Sequence, residues 1–407
     1  MQPGGCGQLA YGPDVCRPAV ASGGLEKYMR KFVIENRLEP ILTTRPSMTS
    51  NLADLRVQID AIDQQLLALL NSRARVAEQV GEVKKLEGSP FFRPDRVARV
   101  IEQIQQANTG PLKSAHIAAV WREIMSACLA LEAPVRVAYL GPAGTFSEQA
   151  ALQFFGSSIE QVPCASVDEV FHAAASGSAG FGVVAVENST EGVVSRSLDL
   201  FLSSPLHIVG EVSLMVRHNL LRLSDSMEGI DAVHAHAQAL AQCQGWLTAH
   251  LPHATRHAVS SNAEGARLAS TNPAWAGIAG ERAGAQFGLH TVAPAIQDEA
   301  FNRTRFVVVC LPQTLPAPPA SGNDCISLVV SVTNRPGAVH DILVPLKKHG
   351  VSMTRFESRP ARSGQWEYYF YIDLQGHSSQ PHVQAALAEL QQLCAFYKVL
   401  GTYPVSQ

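Results

Sequence analysis

A regular apolar stripe runs along the chain from Leu52 to about residue 87. Its members recur at alternating spacings of three and four residues, which places them on one face of an α-helix. They are Leu55, Ile59, Ile62, Leu66, Leu69 and Val76. The stripe therefore predicts one long amphipathic helix.

Two breaks follow this stripe. Gly88 and Pro90 end the long helix, and a second helical pattern covers about 94–106. After Gly110–Pro111, a third pattern covers about 114–131. Because one long helix and two shorter ones cannot close a large core, we expect this all-α unit to dimerise.

The pattern changes at about residue 135. Short apolar runs such as VRVAYL and GFGVVAV now alternate with helical stretches such as GPAGTFSEQAALQFF, up to about residue 311. This alternation of strand, loop and helix is typical of an α/β fold. It predicts either one α/β domain or two α/β lobes around a cleft.

The last segment has a third pattern. LPQTLPAPPASG, from Leu311 to Gly322, is a Pro-rich linker. The predicted elements beyond it follow the order β-α-β-β-α-β, which is typical of an α+β ferredoxin-like fold. The domain prediction is an all-α domain over 48–133, an α/β domain over 134–311, a linker over 312–323 and an α+β domain over 324–407.

Residues 1–47 fit none of these patterns. They are rich in Gly and Pro, and they lack the cationic start and continuous apolar stretch of a secretory signal. Met48 stands just before the long helix, with Thr49, Ser50 and Asn51 as capping candidates. We hypothesise that Met48 begins the functional protein and that 1–47 is a disordered extension or a mis-called start.

Composition narrows the class of function. The chain has 407 residues, 46% of them hydrophobic and 16% charged, and a net charge of -3. This predicts a soluble, cytoplasmic, multidomain protein with no electrostatic attraction to nucleic acid and no run of apolar residues that would span a membrane. The eight cysteines form no CxxC pair, and Pro252 separates the histidines of HLPHATRH, so we expect free thiols and no metal.

The cations of the long helix are locally grouped. Arg73 and Lys84 are eleven residues apart, which puts them within roughly 20° of each other on a helix. Arg56 points roughly 100° away from that face. Arg56 cannot easily serve the same pocket within one chain, whereas a symmetric partner chain can present it there.

LADLRVQIDAIDQQLLALLNSRARVAEQVGEVKKLEG and FFRPDR resemble the all-helical class of chorismate mutase, an intertwined dimer. The resemblance implies that Arg56 is lent by the partner and that Arg73, Lys84 and Arg96 bind the carboxylates and ether oxygen of chorismate. Two positions that line the family's pocket carry Cys128 and Glu132 here, in place of a hydroxyl residue and a glutamine. Glu132 can donate to the ether oxygen only when protonated.

A further departure is Val97, which stands where the family has a glutamate for the substrate's ring hydroxyl. We expect Val97 to weaken mutase activity without abolishing it, because one polar contact is worth about 1–3 kcal/mol.

GPAGTFS, ENS and NRTRF each stand at the junction of a strand with a loop, where α/β folds bind ligands. Together they resemble prephenate dehydratase, which has two lobes like a periplasmic solute-binding protein and needs no cofactor. The resemblance implies that Thr304 donates a proton during dehydration, and Glu187 is an alternative acid. The other implied prephenate contacts are Thr145, Ser147, Asn188, Ser189 and Gln242.

NRPGAVHDIL and ESRP resemble the ACT regulatory domain, which binds L-phenylalanine at a dimer interface. The resemblance implies a loop-to-helix contact made by Gly337, Ala338 and Val339. It also implies that the ESRP motif, made of Glu357, Ser358, Arg359 and Pro360, takes part in effector binding.

The order mutase, dehydratase, ACT is that of the bifunctional enzymes of phenylalanine biosynthesis. It predicts conversion of chorismate to prephenate and then to phenylpyruvate, with feedback inhibition by L-phenylalanine, in a homodimer or higher homo-oligomer. One alternative is a dehydratase whose helical domain is a weak mutase or a dimerisation arm. Another is a non-catalytic sensor of aromatic amino acids.

Overall fold

A computed structural model describes residues 51–316, 318–361 and 368–405. The hypotheses on residues 1–47 and on Met48 lie outside the described residues, as does most of the turn predicted at ARSGQ. The chain divides after Leu67 into two compact units, and the long N-terminal helix runs through the division.

Three helices form the all-α region. They are α1 (Leu52–Glu87), α2 (Pro94–Ala107) and α3 (Ser114–Glu132). The two breaks and the three helices follow the predicted pattern. Gly81 of α1 packs on α3, where an added Cβ would lie 2.9 Å from the Cα of Glu132. This glycine lets the two helices approach closely enough for their polar side chains to meet.

Eleven strands and seven helices form the described α/β region. The strands are β1 (Arg136–Leu140), β2 (Glu160–Cys164), β3 (Phe181–Asn188), β4 (Gly192–Val193), β5 (His207–Met215), β6 (Asn219–Arg222), β7 (Ala232–His236), β8 (Thr255–Val259), β9 (Trp275–Ala279), β10 (His290–Ala293) and β11 (Arg303–Cys310). The helices are α4 (Phe146–Phe155), α5 (Val167–Ser176), α6 (Ser195–Ser203), α7 (Ala237–Gln242), α8 (Gln244–His250), α9 (Asn262–Ala269) and α10 (Glu281–Phe287).

These strands form two sheets, so the α/β region has two lobes. The first sheet has the order β2-β1-β3-β11-β5, with β4 beside β3, and the second has the order β10-β6-β9-β7-β8. The chain leaves the first sheet after β5 and returns to it with β11. The two crossing segments are hydrogen-bonded to each other, because the Val216 amide donates to the Asn302 carbonyl at 2.7 Å. Side chains at the start of β11 therefore lie at the junction of the two lobes.

The C-terminal region is ferredoxin-like, as predicted. Its elements are β12 (Asp324–Ser331), α11 (Ala338–His349), β13 (Met353–Pro360), β14 (Tyr368–Gln375), α12 (Pro381–Leu393) and β15 (Phe396–Pro404), and its sheet has the antiparallel order β13-β14-β12-β15. This sheet packs on the first lobe. Gly401 of β15 meets Ile208 of β5 so closely that an added Cβ would lie 2.1 Å from the Ile208 carbonyl oxygen.

Two apolar clusters join the regions. One cluster contains Phe201 and Leu206 of the first lobe together with Leu400 and Tyr403 of β15. The other contains Phe92, from the loop after α1, within the first lobe's core. Among the helices of the described residues, none is both long enough and apolar enough to cross a membrane.

Candidate active sites and effector cavity

A cleft of about 800 Å³ lies where the two lobes meet. Its walls are the glycine-rich loop 141–147, the ends of β3 and β11, and the first turns of α7 and α9. Ligands of α/β folds bind at such strand ends, since the loops there converge.

A chain of polar side chains crosses the floor of this cleft. Asn188 Nδ2 donates to Thr304 Oγ1 at 2.8 Å and to Asn302 Oδ1 at 2.7 Å. Asn302 Nδ2 in turn donates to Gln242 Oε1 at 3.0 Å, which reaches the second lobe. The order Thr304, Asn188, Asn302, Gln242 is thus one connected polar chain, and three of its four members line the cleft.

The strand register explains this convergence. Thr304 of β11 pairs directly with Asn188 of β3, so their side chains lie on the same face of the sheet. The side-chain Oδ1 of Asn188 accepts from the backbone amides of Thr190 and Glu191, both at 3.0 Å, which fixes the orientation of the side-chain amide group. The Asn188 NH₂ group is therefore directed at Thr304 and Asn302.

His218 extends the polar chain. Its Nε2 lies 2.8 Å from Gln242 Oε1, and a carbonyl oxygen can only accept, so Nε2 carries the proton. The ring is 97% buried, and burial lowers the pKa of His218, an effect that its bond to Gln242 partly offsets. His218 is therefore a neutral imidazole that holds the Gln242 amide in place.

The loop 141–147 presents the start of α4 to the cleft. Thr145 is the N-cap of that helix: its Oγ1 accepts from the Glu148 amide at 3.3 Å and donates to the Leu140 carbonyl at 3.0 Å. Ser147 is buried in the first turn and lines the cleft. A helix N-terminus attracts carboxylates, because its free N–H groups point outward.

An ion pair closes the back of this loop. Glu148 is buried, and its carboxylate accepts the Gly144 amide at 2.6 Å and both the Nε and one terminal nitrogen of Arg282, each at 3.0 Å. Arg282 belongs to α10 of the second lobe. The pair therefore ties the loop 141–147 to the second lobe.

The opposite face of β3 and β11 carries charges that face away from the cleft. Arg305 lies next to Thr304 and contacts Glu211 Oε2 at 2.8 Å, Asp373 Oδ2 at 2.6 Å and the Tyr403 hydroxyl at 2.8 Å. Burial alone would lower the pKa of Arg305, but these neighbours outweigh it and raise the pKa. This side of the sheet therefore joins the dehydratase-like strands to β14 and β15.

Two predicted prephenate contacts are not brought to the cleft. Glu187 pairs with Arg355 of β13 at 3.1 Å and lies outside the cleft lining, because alternate residues of a strand face opposite sides. Ser189 accepts the Arg303 amide at 2.9 Å and donates to the Phe301 carbonyl at 3.0 Å. It anchors the start of β11 instead of lining the cleft, so neither residue is placed to act as an acid on a ligand there.

In the helical region the structure brings Lys84 and Glu132 together. Lys84 Nζ donates to Glu132 Oε2 at 2.6 Å and to the Phe91 carbonyl at 2.8 Å, and both side chains are largely buried. Cys128 is buried one turn before Glu132 on α3. Two residues that were each predicted to contact chorismate therefore also contact each other.

The arginines singled out in this region differ in their exposure to solvent. Arg73 is half-buried, while Arg56 and Arg96 are exposed. Arg93 is held in a two-point ion pair with Asp95, with both N–O distances 2.9 Å. Burial alone would raise the pKa of Asp95, but the hydrogen bond and charge of Arg93 together with backbone amide donors lower the pKa overall. Arg93 is therefore engaged within its own loop.

The C-terminal region contains a cavity of about 310 Å³ at the start of α11. Gly337, Ala338 and Val339 line it, together with Arg335 and Tyr368. Gly337 has a φ of 81°, a left-handed conformation that glycine adopts without strain, and this turn opens the cavity.

The ESRP motif lies elsewhere on the same sheet. Glu357, Ser358, Arg359 and Pro360 are in β13 and lie outside the lining of this cavity. Arg359 instead reaches α6, where it pairs with Asp199 at 3.1 Å and donates to Ser195 Oγ at 2.5 Å.

Three side chains that matter to the cleft were not assigned from the sequence. Asn302 stands two residues before Thr304, and the two-residue period of a strand was the available signal. His218 and Arg305 gave no comparable signal, because their partners are far away in the sequence. Tertiary contacts alone reveal their roles.

These features define a multidomain protein that combines a helical region, a two-lobed α/β region with a cleft and a ferredoxin-like domain. Family models match the same three segments: chorismate mutase type II matches residues 55–133, prephenate dehydratase matches 137–314, and the ACT domain matches 326–392.

Similar proteins agree with these matches. The bifunctional chorismate mutase/prephenate dehydratase of Stutzerimonas stutzeri is 44% identical over 364 residues, which cover 88% of this chain and 99% of that protein. The structure of prephenate dehydratase from Arthrobacter aurescens in complex with L-Phe has a TM-score of 0.61 and 32% identity, covering 66% of this chain and 90% of that one. GqqA, described as a quorum quenching acylase, has a TM-score of 0.61 and 28% identity, covering 67% of this chain and 98% of that one. The chain belongs to the family of bifunctional chorismate mutase/prephenate dehydratases with an ACT domain.

Proposed function

We propose that this chain rearranges chorismate to prephenate in residues 48–133 and converts prephenate to phenylpyruvate in residues 134–311. Residues 324–407, after the linker 312–323, bind L-phenylalanine as the feedback inhibitor. The observation that carries the proposal is the polar chain from Thr304 to Gln242 across a cleft of about 800 Å³. The family membership of the whole chain supports both activities.

Thr304 is the proton donor in the proposed dehydration. Its Oγ1 already accepts from Asn188, so its own proton remains available to the cleft. In the reaction the bond between the ring and its carboxylate breaks, CO₂ is released, and the electron pair of that bond enters the ring and expels the C4 hydroxyl. A proton delivered from Thr304 lets that hydroxyl leave as water, and a proton from solvent restores the Thr304 hydroxyl.

The loop 141–147 is the proposed site for a carboxylate of prephenate. Ser147 and the free amides at the start of α4 supply donors, while Thr145 shapes the loop as the N-cap of that helix. No metal or cofactor is needed for the charge balance. Asn188, Gln242 and Thr304 complete the proposed set that lines the cleft. Glu187 and Ser189 support this set from outside it.

The mutase reaction breaks the ether C–O bond as a new C–C bond forms, with no covalent help from the protein. Lys84 is the proposed cation for the ether oxygen, which gains negative charge in the transition state. Glu132 lies beside Lys84 and donates to that oxygen only in its protonated form. Arg73, Arg96 and Cys128 complete the in-chain part of this proposed site, and Arg56 comes from a partner.

A homodimer is proposed from the surface of α1. Its stripe of Leu, Ile and Val side chains at three- and four-residue spacing is exposed along the helix, from Leu55 to Val83. Arg73 occupies one position of the same stripe, between Leu69 and Val76. A second copy of α1 would cover the stripe and would bring a second set of side chains to Arg73.

The cavity beside Gly337 is the proposed effector site. The A. aurescens relative was solved with L-Phe, and the cavity here offers a helix N-terminus for a carboxylate and Tyr368 and Phe370 for a ring. The ESRP motif is proposed to act at the same site through a second copy of the domain. The described cysteines are all unpaired, which fits a cytoplasmic location.

One experiment tests the two activities together. Purified protein is incubated with chorismate and, separately, with prephenate, and both substrate loss and phenylpyruvate formation are followed before and after L-phenylalanine is added. We expect both conversions and their inhibition. Dehydration of prephenate without loss of chorismate would contradict the mutase proposal, and absence of both conversions would leave only a sensor.

A further inference from the structure

The loop between α1 and α2 is built into the core of the neighbouring lobe. Phe92 is 95% buried, and its ring lies 4.9 Å from that of Phe155 and 5.6 Å from that of Phe181. The ring of Phe154 lies 6.0 Å away. Aromatic rings at such distances pack favourably beyond the area that they bury. The position of this loop is therefore set by the dehydratase lobe.

The same loop holds Lys84. The residue before Phe92 supplies the carbonyl that accepts from Lys84 Nζ at 2.8 Å. Gly88, with a φ of 64°, turns the chain at the end of α1, and the Ser89 amide closes this turn on the Lys84 carbonyl at 2.9 Å. Movement of Phe92 would therefore move one of the two acceptors that hold the Lys84 ammonium group.

The other acceptor is held by the same lobe. Glu132 lies on α3, where Leu129 packs against the cluster that contains Phe92. Earlier on α3, Ser126 accepts the Ser158 amide at 3.1 Å, and it meets Gly156 so closely that an added Cβ would lie 2.4 Å away. Both elements that position the Lys84–Glu132 pair thus rest on the dehydratase lobe.

Val97 belongs to this contact as well. It lies on the first turns of α2 and packs, partly buried, against the same cluster. An apolar residue at this position extends the contact with the lobe, and a glutamate there would bring a charge into it.

We propose that Phe92 is a positioning residue for the mutase reaction: by docking in the dehydratase lobe, it places Lys84 and Glu132 for the substrate's ether oxygen. The mutase of this chain then depends on its dehydratase lobe as a scaffold. This inference rests on the proposed mutase activity, which turnover of chorismate by the wild-type chain tests separately.

The test compares Phe92→Ala with Phe92→Leu in the full-length chain. We expect Phe92→Ala to lower kcat/KM for chorismate by at least about tenfold, with changes in both kcat and KM, because a small displacement of an oriented cation is costly in catalysis. Dehydration of supplied prephenate should stay within about twofold in the same preparation, since the Thr304 chain does not involve this loop. Phe92→Leu, which refills most of the site, should recover most of the mutase activity.

Phe154→Ala tests the docking from the other side. This variant removes a ring that packs against Phe92 without changing any residue of the helical region. It replaces Phe92→Ala as the test if Phe92→Ala does not fold. Phe287→Ala is the matched control, because Phe287 packs in a separate cluster of the second lobe. We expect a mutase loss for Phe154→Ala and none for Phe287→Ala. Unchanged chorismate turnover in Phe92→Ala, or equal losses of both activities, would overturn the proposal.

Discussion

The dehydratase cleft and the mutase region differ in how completely one chain builds each site. In the cleft, Thr304, Asn188, Asn302 and Gln242 hold one another through direct hydrogen bonds, and two lobes of the same chain supply them. In the mutase region, the Lys84–Glu132 pair is formed, but the stripe of α1 that carries Arg73 is exposed along the helix.

This difference follows from the shape of the two folds. Two sheets joined by crossing strands enclose a cleft within one chain, so their polar groups satisfy one another before a ligand arrives. A long helix exposes its apolar stripe until another surface covers it. We therefore expect dehydration to depend on the chain itself and mutase activity to depend on its assembly and its scaffold.

The largest expected effect comes from Thr304→Val, which removes the hydroxyl but keeps the shape of the side chain. Loss of a positioned proton donor should lower kcat for prephenate by about 100-fold to 10,000-fold. The measurement is phenylpyruvate formation from supplied prephenate, with chorismate loss followed in the same preparation. Thr304→Ser should keep much of the activity. Equal activity of the Val and Ser variants would contradict the role given to the hydroxyl.

A mixing experiment tests whether two chains together complete the mutase site. Arg56→Ala and Arg73→Ala should each lower mutase activity by about 100-fold or more, because each removes a cation from an oriented site. Co-expressed in one cell, they should recover about a quarter of wild-type activity, since half of the dimers are mixed and one of the two sites in each is intact. No recovery in purified mixed dimers would show that both arginines serve the same chain's pocket.

Arg305→Met tests the ion pairs on the face of the first sheet that points away from the cleft. It removes the cation 2.6 Å from buried Asp373, and breaking such a pair should lower the free energy of unfolding by about 3–5 kcal/mol. Denaturant unfolding measures this effect, and Arg305→Lys, which keeps the charge, should lose less. Because Arg305 adjoins Thr304, we expect dehydration and its inhibition by L-phenylalanine to change more than mutase activity. Unaltered stability would contradict the importance of this pair.

The smallest expected effect is a pH dependence of stability. Burial lowers the pKa of His218 in the folded chain, so the unfolded chain binds a proton more readily. The stabilisation is complete above the ordinary histidine pKa of about 6.5 and is lost as the pH falls below it. Chemical unfolding between pH 5 and 8 should show this slope, and His218→Gln should reduce it, because His207 and His234 also have pKa values lowered by burial. An equal slope in the variant would assign the effect to other groups.

Val97 shows where reasoning from the sequence met its limit. The helical pattern and the family resemblance predicted a pocket near RPDR, and Val97 stood out as a departure from the expected glutamate. The structure gives this valine a place in an apolar cluster that is shared with the dehydratase lobe. Val97→Glu is therefore a poor test of the pocket, because it would also disturb the packing of the two regions.

Glu187 shows the same limit in the cleft. Its position beside Asn188 favoured a role as an acid, but adjacent residues of a strand face opposite ways. Only the register of β3 and β11 decided that Asn188 faces the cleft and that Glu187 faces Arg355.

The sequence by itself determined the three fold types, their order and the family, because periodicity and short motifs are local properties that survive without knowledge of packing. It also located Thr304, Asn188, Gln242, Lys84 and Glu132 as candidates. The tertiary structure alone decided that His218 and Asn302 complete the polar chain, that Arg305 joins the cleft to the C-terminal sheet, and that Phe92 docks in the dehydratase lobe. Each of these is a contact between residues distant in the chain, which only the packing of the folded elements brings together.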